Sequence, residues 1–334
     1  MNEDGVVSTR VVRGGTIRSR QGVNVPAERL SLPSITEKDR DGLERAIGLG
    51  VDFVAQSFVR SAEDVEDLRA LMGGHVIPIV AKVETRPAVE AAAEIVRAAD
   101  AVMVARGDLG VELPLEEIPL VQKALLHLAR EAGTPSIVAT QMLESMIHAP
   151  RPTRAEASDA ANAVLDGADA VMLSGETAVG DFPVEAASAA ARIADLVDRQ
   201  GARFRTAGPT CRHADEASAI AHAAASVATS NRDIEAIACY TTTGQTARLL
   251  SAERPAVPIY AFASDRTVAR RLSLQWGITP LDAPVPDDTD DMIELMERLL
   301  HEHGLVAKGR SVVMVASSPV GDAHTNLVKA HRVE

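Results

Sequence analysis

Ile79-Val80-Ala81-Lys82-Val83-Glu84 and, one helix-length further on, Ala101-Val102-Met103-Val104-Ala105-Arg106-Gly107-Asp108 decide how this chain folds. Each is an apolar run that ends in charge. Side chains alternate along a strand, so Lys82 and Glu84 point the same way at the strand's C-terminal end. Strands apolar on both faces belong in a parallel sheet covered by helices. The same rhythm continues outward in both directions. Thr36-Glu37-Lys38-Asp39 has the spacing of a helix capping box and predicts a helix through Ile47. A strand is predicted over 51–58, a helix over 62–71, a strand over 76–83 and a helix over 88–98. Strand 101–105, helix 115–132 and strand 136–140 follow. Thr153-Arg154-Ala155-Glu156 is a second capping box opening a helix to Asp166, before a strand at 170–173 and an Ala-rich helix over 184–197. Repeated units of this kind give a parallel sheet with right-handed crossovers. Five strands fall short of the eight of a closed (β/α) barrel. Five also make an open sheet with helices on both faces, and periodicity alone leaves both standing.

A second block begins near Gly201, with Gly208-Pro209-Thr210 as its linker. It reads as helix 214–230, strand 236–240, loop 241–245, a helix from Thr246, strand 257–262, a helix through Trp276, helix 290–304 and strand 311–316. This is a smaller α/β domain. At the other end, 6–12 and 16–25 read as a lone hairpin around Gly14-Gly15. An isolated hairpin is marginal in water, so a neighbouring sheet is expected for it.

Composition excludes several classes. The 334 residues suit two domains, and 46% hydrophobic residues with only 2% aromatics require cores of Ala, Val, Leu and Ile. A formal net charge of −13 is the wrong sign for displacing counterions from nucleic acid or for binding anionic lipid. Any small anionic substrate must be held by local positive groups against that field. Two cysteines, Cys211 and Cys239, make neither a disulfide framework nor a metal spacing. The polar first twenty residues hold no signal core and no apolar run reaches membrane-spanning length, so a cytoplasmic protein is expected.

The chemistry gathers at strand ends. Asp108, ending the neighbouring strand, is expected to face Glu84. Two such carboxylates suit Mg²⁺ that keeps its other positions for water and substrate oxygens. Lys82 beside them suits a transferring phosphoryl group or an enolate oxygen. A solvated salt bridge fits the same spacing. Arg106-Gly107-Asp108, inside a βα unit, has no adhesion role; Gly107 is expected to form a tight turn whose amides meet an anion. Thr140 closes the next strand, where threonine is common without any function.

Longer runs make the pattern specific. Ala81-Lys82-Val83-Glu84, Met103-Val104-Ala105-Arg106-Gly107-Asp108-Leu109-Gly110 and Ala139-Thr140-Gln141-Met142-Leu143-Glu144-Ser145-Met146 resemble the successive active-site strands of pyruvate kinases. Arg151-Pro152-Thr153-Arg154-Ala155-Glu156 and Met172-Leu173-Ser174-Gly175-Glu176-Thr177 follow in that family's order. The resemblance implies phosphoryl transfer from phosphoenolpyruvate to ADP, giving pyruvate and ATP. It implies Lys82 as the lysine that stabilises the phosphoryl group and enolate, and Glu84 and Asp108 as ligands of Mg²⁺ or Mn²⁺. It implies Gly107 and Asp108 as amides for the substrate carboxylate, and Thr140 beside the protonated face of the enolate. Ser57 and Arg60 match a strand end lining the same mouth.

It further implies a partial TIM barrel, five of eight βα units, over 25–199. Residues 1–24 would be a remnant hairpin of the family's small β domain, and 200–334 an α/β regulatory-type domain. The family's K⁺ ligands, its phosphate arginine and much of its nucleotide site would then lie outside this chain, leaving it weak or inactive alone. Thr241, Thr242, Thr243 and Thr246 resemble a loop for a sugar-phosphate effector, though a Thr-rich turn also simply caps a helix. Gly321-Asp322-Ala323-His324-Thr325-Asn326 departs from the glycine-rich effector loop of fructose-bisphosphate-regulated members. A homo-oligomer, tetrameric in the family, is implied. Two other readings remain: a catalytically dead binding paralogue, and metal-dependent enolate chemistry on pyruvate or oxaloacetate.

Overall fold

The structure, a computed structural model, describes residues 8–12, 14–16, 19, 33–200, 215–320 and 324–334. Most of the expected hairpin lies outside them, and its described residues 8–12 and 14–16 form no strand.

The first sheet contains β1 (Val54–Gln56), β2 (Ile79–Val83), β3 (Ala101–Ala105), β4 (Ser136–Ala139) and β5 (Ala170–Met172). Around it run α1 (Glu37–Leu49), α2 (Ala62–Leu71), α3 (Arg86–Glu90), α4 (Ala92–Ala98), α5 (Arg106–Glu112), α6 (Ile118–Ala132), α7 (Arg154–Leu165), α8 (Gly175–Ala178) and α9 (Pro183–Gln200). The strands are all parallel and lie in chain order, β1-β2-β3-β4-β5. That order decides between the two architectures periodicity left open. Right-handed crossovers that always step to the next place put every helix on one face, as in a barrel. A doubly wound sheet reverses its order instead.

The two faces separate cleanly in the packing. Ile79, Ala81, Val83, Val102, Val104 and Val138 pack with Ile95, Leu125 and Leu126 beneath the helices. Val80, Ala101, Met103, Ile137 and Ala139 form a second cluster on the opposite face. Lys82 shares the parity of Val80, so it stands on the barrel-interior face.

The capping boxes at Thr36 and Thr153 are both formed, and Ser61 with Asp64 makes a third, not expected, before α2. Several boundaries differ from expectation. The predicted helix 88–98 is two helices, with Ala91 turning out of the helical region between them (φ −93°, ψ 13°). The predicted helix at 115 begins at Ile118, with Pro119 in its first turn. Strand β1 stops at Gln56 because Phe58 turns to φ 57°.

The second unit comprises α10 (Glu216–Ser230), β6 (Ile234–Thr241), α11 (Gln245–Ala252), β7 (Ile259–Ala263), α12 (Arg266–Leu272), β8 (Ile278–Asp282), α13 (Thr289–Glu302), β9 (Ser311–Ala316) and β10 (Leu327–Arg332). Its sheet order is β10-β9-β6-β7-β8, with only β10 antiparallel. Helices cover both faces: Met292, Leu295, Met296 and Leu300 on one, Ala221, Ala224, Ala228 and Leu250 on the other. Strands β8 and β10 were not legible in the sequence. Both are edge strands: β8 contains Pro280, tolerated only at an edge, and β10 carries exposed charge.

The units meet through charge. Arg270 pairs with Asp52 through Nε at 2.9 Å, and Arg271 donates to the Val76 carbonyl at 2.9 Å. Leu274 packs against the interior-face cluster. The buried centre is Asp169. Its Oδ2 accepts from the Ser136 N–H (2.8 Å) and hydroxyl (3.1 Å); its Oδ1 accepts from Arg254 (2.9 Å) and the Trp276 N–H (3.3 Å). Asp169→Ala is therefore expected to destabilise the protein by about 3–5 kcal/mol, because it leaves Arg254 buried without its carboxylate. Asp169→Asn, which keeps one acceptor, should cost less. Urea midpoints of the three proteins check this, and equal midpoints for wild type and Asp169→Ala would refute it. No helix among the described residues is long and apolar enough to cross a membrane.

Candidate active site

The site is built where β2, β3 and β4 end. The register pairs Val83 with Val104, so Glu84, one residue further, comes level with the start of α5. Helix α5 begins directly at Arg106. The Arg106-Gly107-Asp108 segment is thus the first turn of a helix, not the isolated tight turn expected from its glycine. Asp108 is exposed in that turn.

Glu84 is 2% exposed, far too buried for an unassisted carboxylate. Its Oε1 accepts the Phe58 N–H at 2.7 Å. Its Oε2 lies 2.9 Å from Lys82 Nζ but outside hydrogen-bond geometry, so that oxygen is buried without a hydrogen-bond donor among the described residues. The Lys82 ammonium instead donates to Ser57 Oγ at 2.8 Å. Lys82, Glu84 and Ser57 are therefore together, as the sequence suggests. The Arg60 backbone N–H donates to Asp64 at the head of α2, and its guanidinium lies 3.7 Å from the same carboxylate.

Glu84 offers a divalent cation a carboxylate oxygen, and Asp108 stands exposed in the first turn of α5. The Glu84 oxygen without a hydrogen-bond donor is the acceptor such an ion requires, and a hard cation takes carboxylate oxygens. Among the described residues no group of three or more His, Cys, Asp or Glu could hold a metal. A cation held by two carboxylates keeps its remaining positions for water and substrate, which is how Mg²⁺ is usually bound.

Thr140 is fixed on both sides. Its Oγ1 accepts the Gly107 N–H at 2.7 Å and donates to the Ala139 carbonyl at 2.6 Å. A Cβ on residue 107 would lie 3.3 Å from that Oγ1, so glycine permits the close approach. The Gly107 amide expected to meet a substrate carboxylate is thus occupied here by Thr140. Thr140 and Gln141 have φ 69° and 53°, left-handed values that cost side-chain-bearing residues on the order of 1 kcal/mol each.

Arg106 holds that strained turn, a role the sequence reading missed. Its Nη2 donates to the Thr140 carbonyl (2.8 Å), with longer contact to that of Gln141 (3.4 Å), while Nη1 pairs with Asp159 on α7 at 2.6 Å. The available signal was an arginine at the end of an all-apolar strand, which must find a carboxylate if it is buried.

In the second unit the threonine loop is partly committed. Thr241 Oγ1 accepts the Gly244 N–H (2.9 Å), Thr243 Oγ1 accepts the Gln245 N–H (3.4 Å), and buried Thr246 shares a hydrogen bond with Thr325 (2.6 Å). Thr242 and Thr243 are exposed. Residues 321–323 of the neighbouring loop lie outside the described residues. Cys239 is fully buried, its thiol pushed up to about 12, and so is unreactive.

An arc of (β/α) barrel with a lysine and two carboxylates at its strand ends has its charged residues where (β/α)-barrel enzymes place their sites. Residues 1–187 match the pyruvate kinase barrel domain and residues 218–331 the pyruvate kinase alpha/beta domain. Pyruvate kinase of Geobacillus stearothermophilus is 45% identical over 98% of this chain and 57% of its own length. Those of Mycobacterium intracellulare and of Mycobacterium tuberculosis strain H37Rv are each 44% identical over 99% of this chain and 70% of their own length. The chain belongs to the pyruvate kinase family, and spans between half and three-quarters of the length of these relatives.

Proposed function

We propose that this chain supplies the phosphoenolpyruvate- and enolate-facing part of a pyruvate kinase site, for transfer of a phosphoryl group to ADP. The observation that carries the reading is Lys82. Its ammonium is held between Ser57 and a buried carboxylate at a barrel strand end, facing the barrel interior. There it lies against negative charge that builds on the transferring phosphoryl group and then on the enolate oxygen. Thr140, fixed by Gly107 and Ala139, stands at the end of β4, two strands on, as the hydroxyl beside the enolate to be protonated. When bound at Glu84 and Asp108, Mg²⁺ or Mn²⁺ supplies charge neutralisation at the phosphoryl and enolate oxygens. The family's K⁺ would be bound by residues outside this chain.

In this reading residues 25–199 are five of eight βα units and 200–334 a regulatory-type domain. The exposed Val111, Leu115 and Leu120 fit burial in a homo-oligomer, and a single monomeric species in sedimentation at micromolar concentration would contradict it.

The direct test is metal binding. Mn²⁺ titrated into the chain, followed by its paramagnetic effect on water relaxation, is expected to bind at least about tenfold more weakly to Asp108→Ala, because a ligand is lost. Equal affinity in both proteins would remove Asp108 from the site.

A further inference from the structure

Two carboxylates outside the proposed metal pair grip the segment that follows Thr140. Glu176, in α8, is 2% exposed, and among the described residues no lysine, arginine or histidine forms an ion pair with it. Its oxygens are spent on backbone instead: Oε1 accepts the Leu143 N–H at 3.0 Å and Oε2 the Ser174 N–H at 2.8 Å. Glu156, in α7, is half-buried. Its Oε1 accepts the Ser145 N–H at 2.7 Å. Its Oε2 accepts the Ser145 hydroxyl at 2.6 Å, the Thr153 N–H at 2.7 Å and the Thr153 hydroxyl at 2.8 Å. Burial opposes its charge, but the hydrogen bonds from Ser145 and Thr153 outweigh burial and hold its carboxyl below the usual carboxylate range.

Helix capping accounts for the Thr153 bonds of Glu156 and leaves the Ser145 bonds unexplained. Leu143 likewise lies outside α8. What Leu143 and Ser145 share is the strained turn just before them. Left-handed residues such as Thr140 and Gln141 persist only where the surroundings over-determine them. Three charged side chains do so here: Arg106 from α5 on the Thr140 carbonyl, Glu176 from α8 on Leu143, and Glu156 from α7 on Ser145. The seat of α8 is equally close. A Cβ on Gly180 would lie 2.5 Å from the Glu176 carbonyl oxygen and 3.2 Å from the Ile147 Cα, and the Asp181 N–H donates to the Ile147 carbonyl at 2.8 Å.

We propose that Glu176 and Glu156 are positioning residues of the site, which hold residues 143–145 so that the preceding turn keeps the Thr140 hydroxyl on the Gly107 amide at the barrel mouth. The inference rests on the reading of Thr140 in the proposed site.

The Gly107 N–H reports on the clamp, because it bonds Thr140 Oγ1 and neither glutamate touches it. Its hydrogen exchange is followed by NMR in the full chain, with the Asp100 N–H, bonded to the Ile79 carbonyl at the opposite end of the strands, as the control. Glu176→Gln turns one acceptor oxygen into a donor facing a backbone N–H. It is expected to speed Gly107 exchange about tenfold or more relative to Asp100, the loss of one hydrogen bond to a charged group. Glu156→Gln should act in the same direction and serves if Glu176→Gln fails to fold. Equal acceleration of Gly107 and Asp100, or none at Gly107, would overturn the clamp.

In a preparation that turns over phosphoenolpyruvate, Glu176→Gln should lower kcat about tenfold or more and change KM less than about twofold, since positioning is lost and substrate binding is not. Thr140→Val, measured alongside, keeps the two readings apart. If it loses turnover while both glutamine variants keep theirs, the positioning role is refuted. If Thr140→Val itself keeps turnover, the catalytic reading of Thr140 fails, and the exchange rates still decide whether the glutamates hold the turn.

Discussion

Replacing Lys82 by methionine in a preparation that turns over phosphoenolpyruvate is expected to lower kcat by about a hundred- to a thousandfold, roughly 3–4 kcal/mol of barrier. The ammonium is fixed before substrate arrives: Ser57 takes one hydrogen bond and Glu84 lies 2.9 Å away. It need not reorganise when negative charge moves onto the phosphoryl group and the enolate oxygen, and this makes a preplaced charge effective. Methionine keeps the volume and removes the charge. It also leaves Glu84, 2% exposed, without its positive neighbour, so the variant should lose stability as well. The two effects separate by experiment. Saturating Mn²⁺ should restore much of the stability, because the cation replaces the missing charge at Glu84, while turnover stays low. Turnover close to wild type in Lys82→Met would end the assignment of the lysine to the transition state.

The strand ends were legible in the sequence because chemistry there is written in neighbouring residues. Lys82 and Glu84 are two apart on one strand, so alternation alone puts them on one face. The conformations of the joints were not legible. Ala91 breaks one predicted helix, and α5 turns a presumed glycine turn into the head of a helix. Neither follows from local propensity, since alanine favours a continuous helix and glycine opposes one. Tertiary packing overrode both. Arg106 illustrates the wider limit. Its partner Asp159 lies 53 residues away, and only the fold brings them together. The barrel question was likewise closed by long-range order, since four consecutive parallel pairings carry information that no window of sequence contains. In the second unit the two edge strands were lost to reading because an edge tolerates proline and charge that a central strand excludes.

A co-expressed polypeptide bearing three further βα units and a small β domain is expected to raise pyruvate formation by this 334-residue chain by at least about a hundredfold. Among the described residues of the five-stranded arc, β1 pairs only with β2 and β5 only with β4. A closed barrel has eight strands and no edges, so three more strands placed between β5 and β1 would satisfy both unpaired sides at once. The chemical argument runs the same way. Lys82, Glu84, Asp108 and Thr140 stand at three adjacent strand ends and, in the proposed site, would surround one side of a ligand. The other side needs a cation to grip the phosphates and a cover to exclude water from the transfer. Positioning of that kind contributes several kcal/mol to the barrier, which is orders of magnitude in rate. The assay couples pyruvate formation to a dehydrogenase under saturating Mg²⁺ and K⁺, with the chain alone and with the complementing polypeptide. The exposed strand edges should meanwhile make the chain alone prone to aggregate, and complementation should suppress this. Light scattering on the same samples measures it. Turnover of roughly tens per second by the chain alone, an ordinary kinase rate, would refute the dependence. It would mean that one arc of strand ends, with a lysine held between a serine and a buried glutamate, suffices to hold both phosphoryl donor and acceptor.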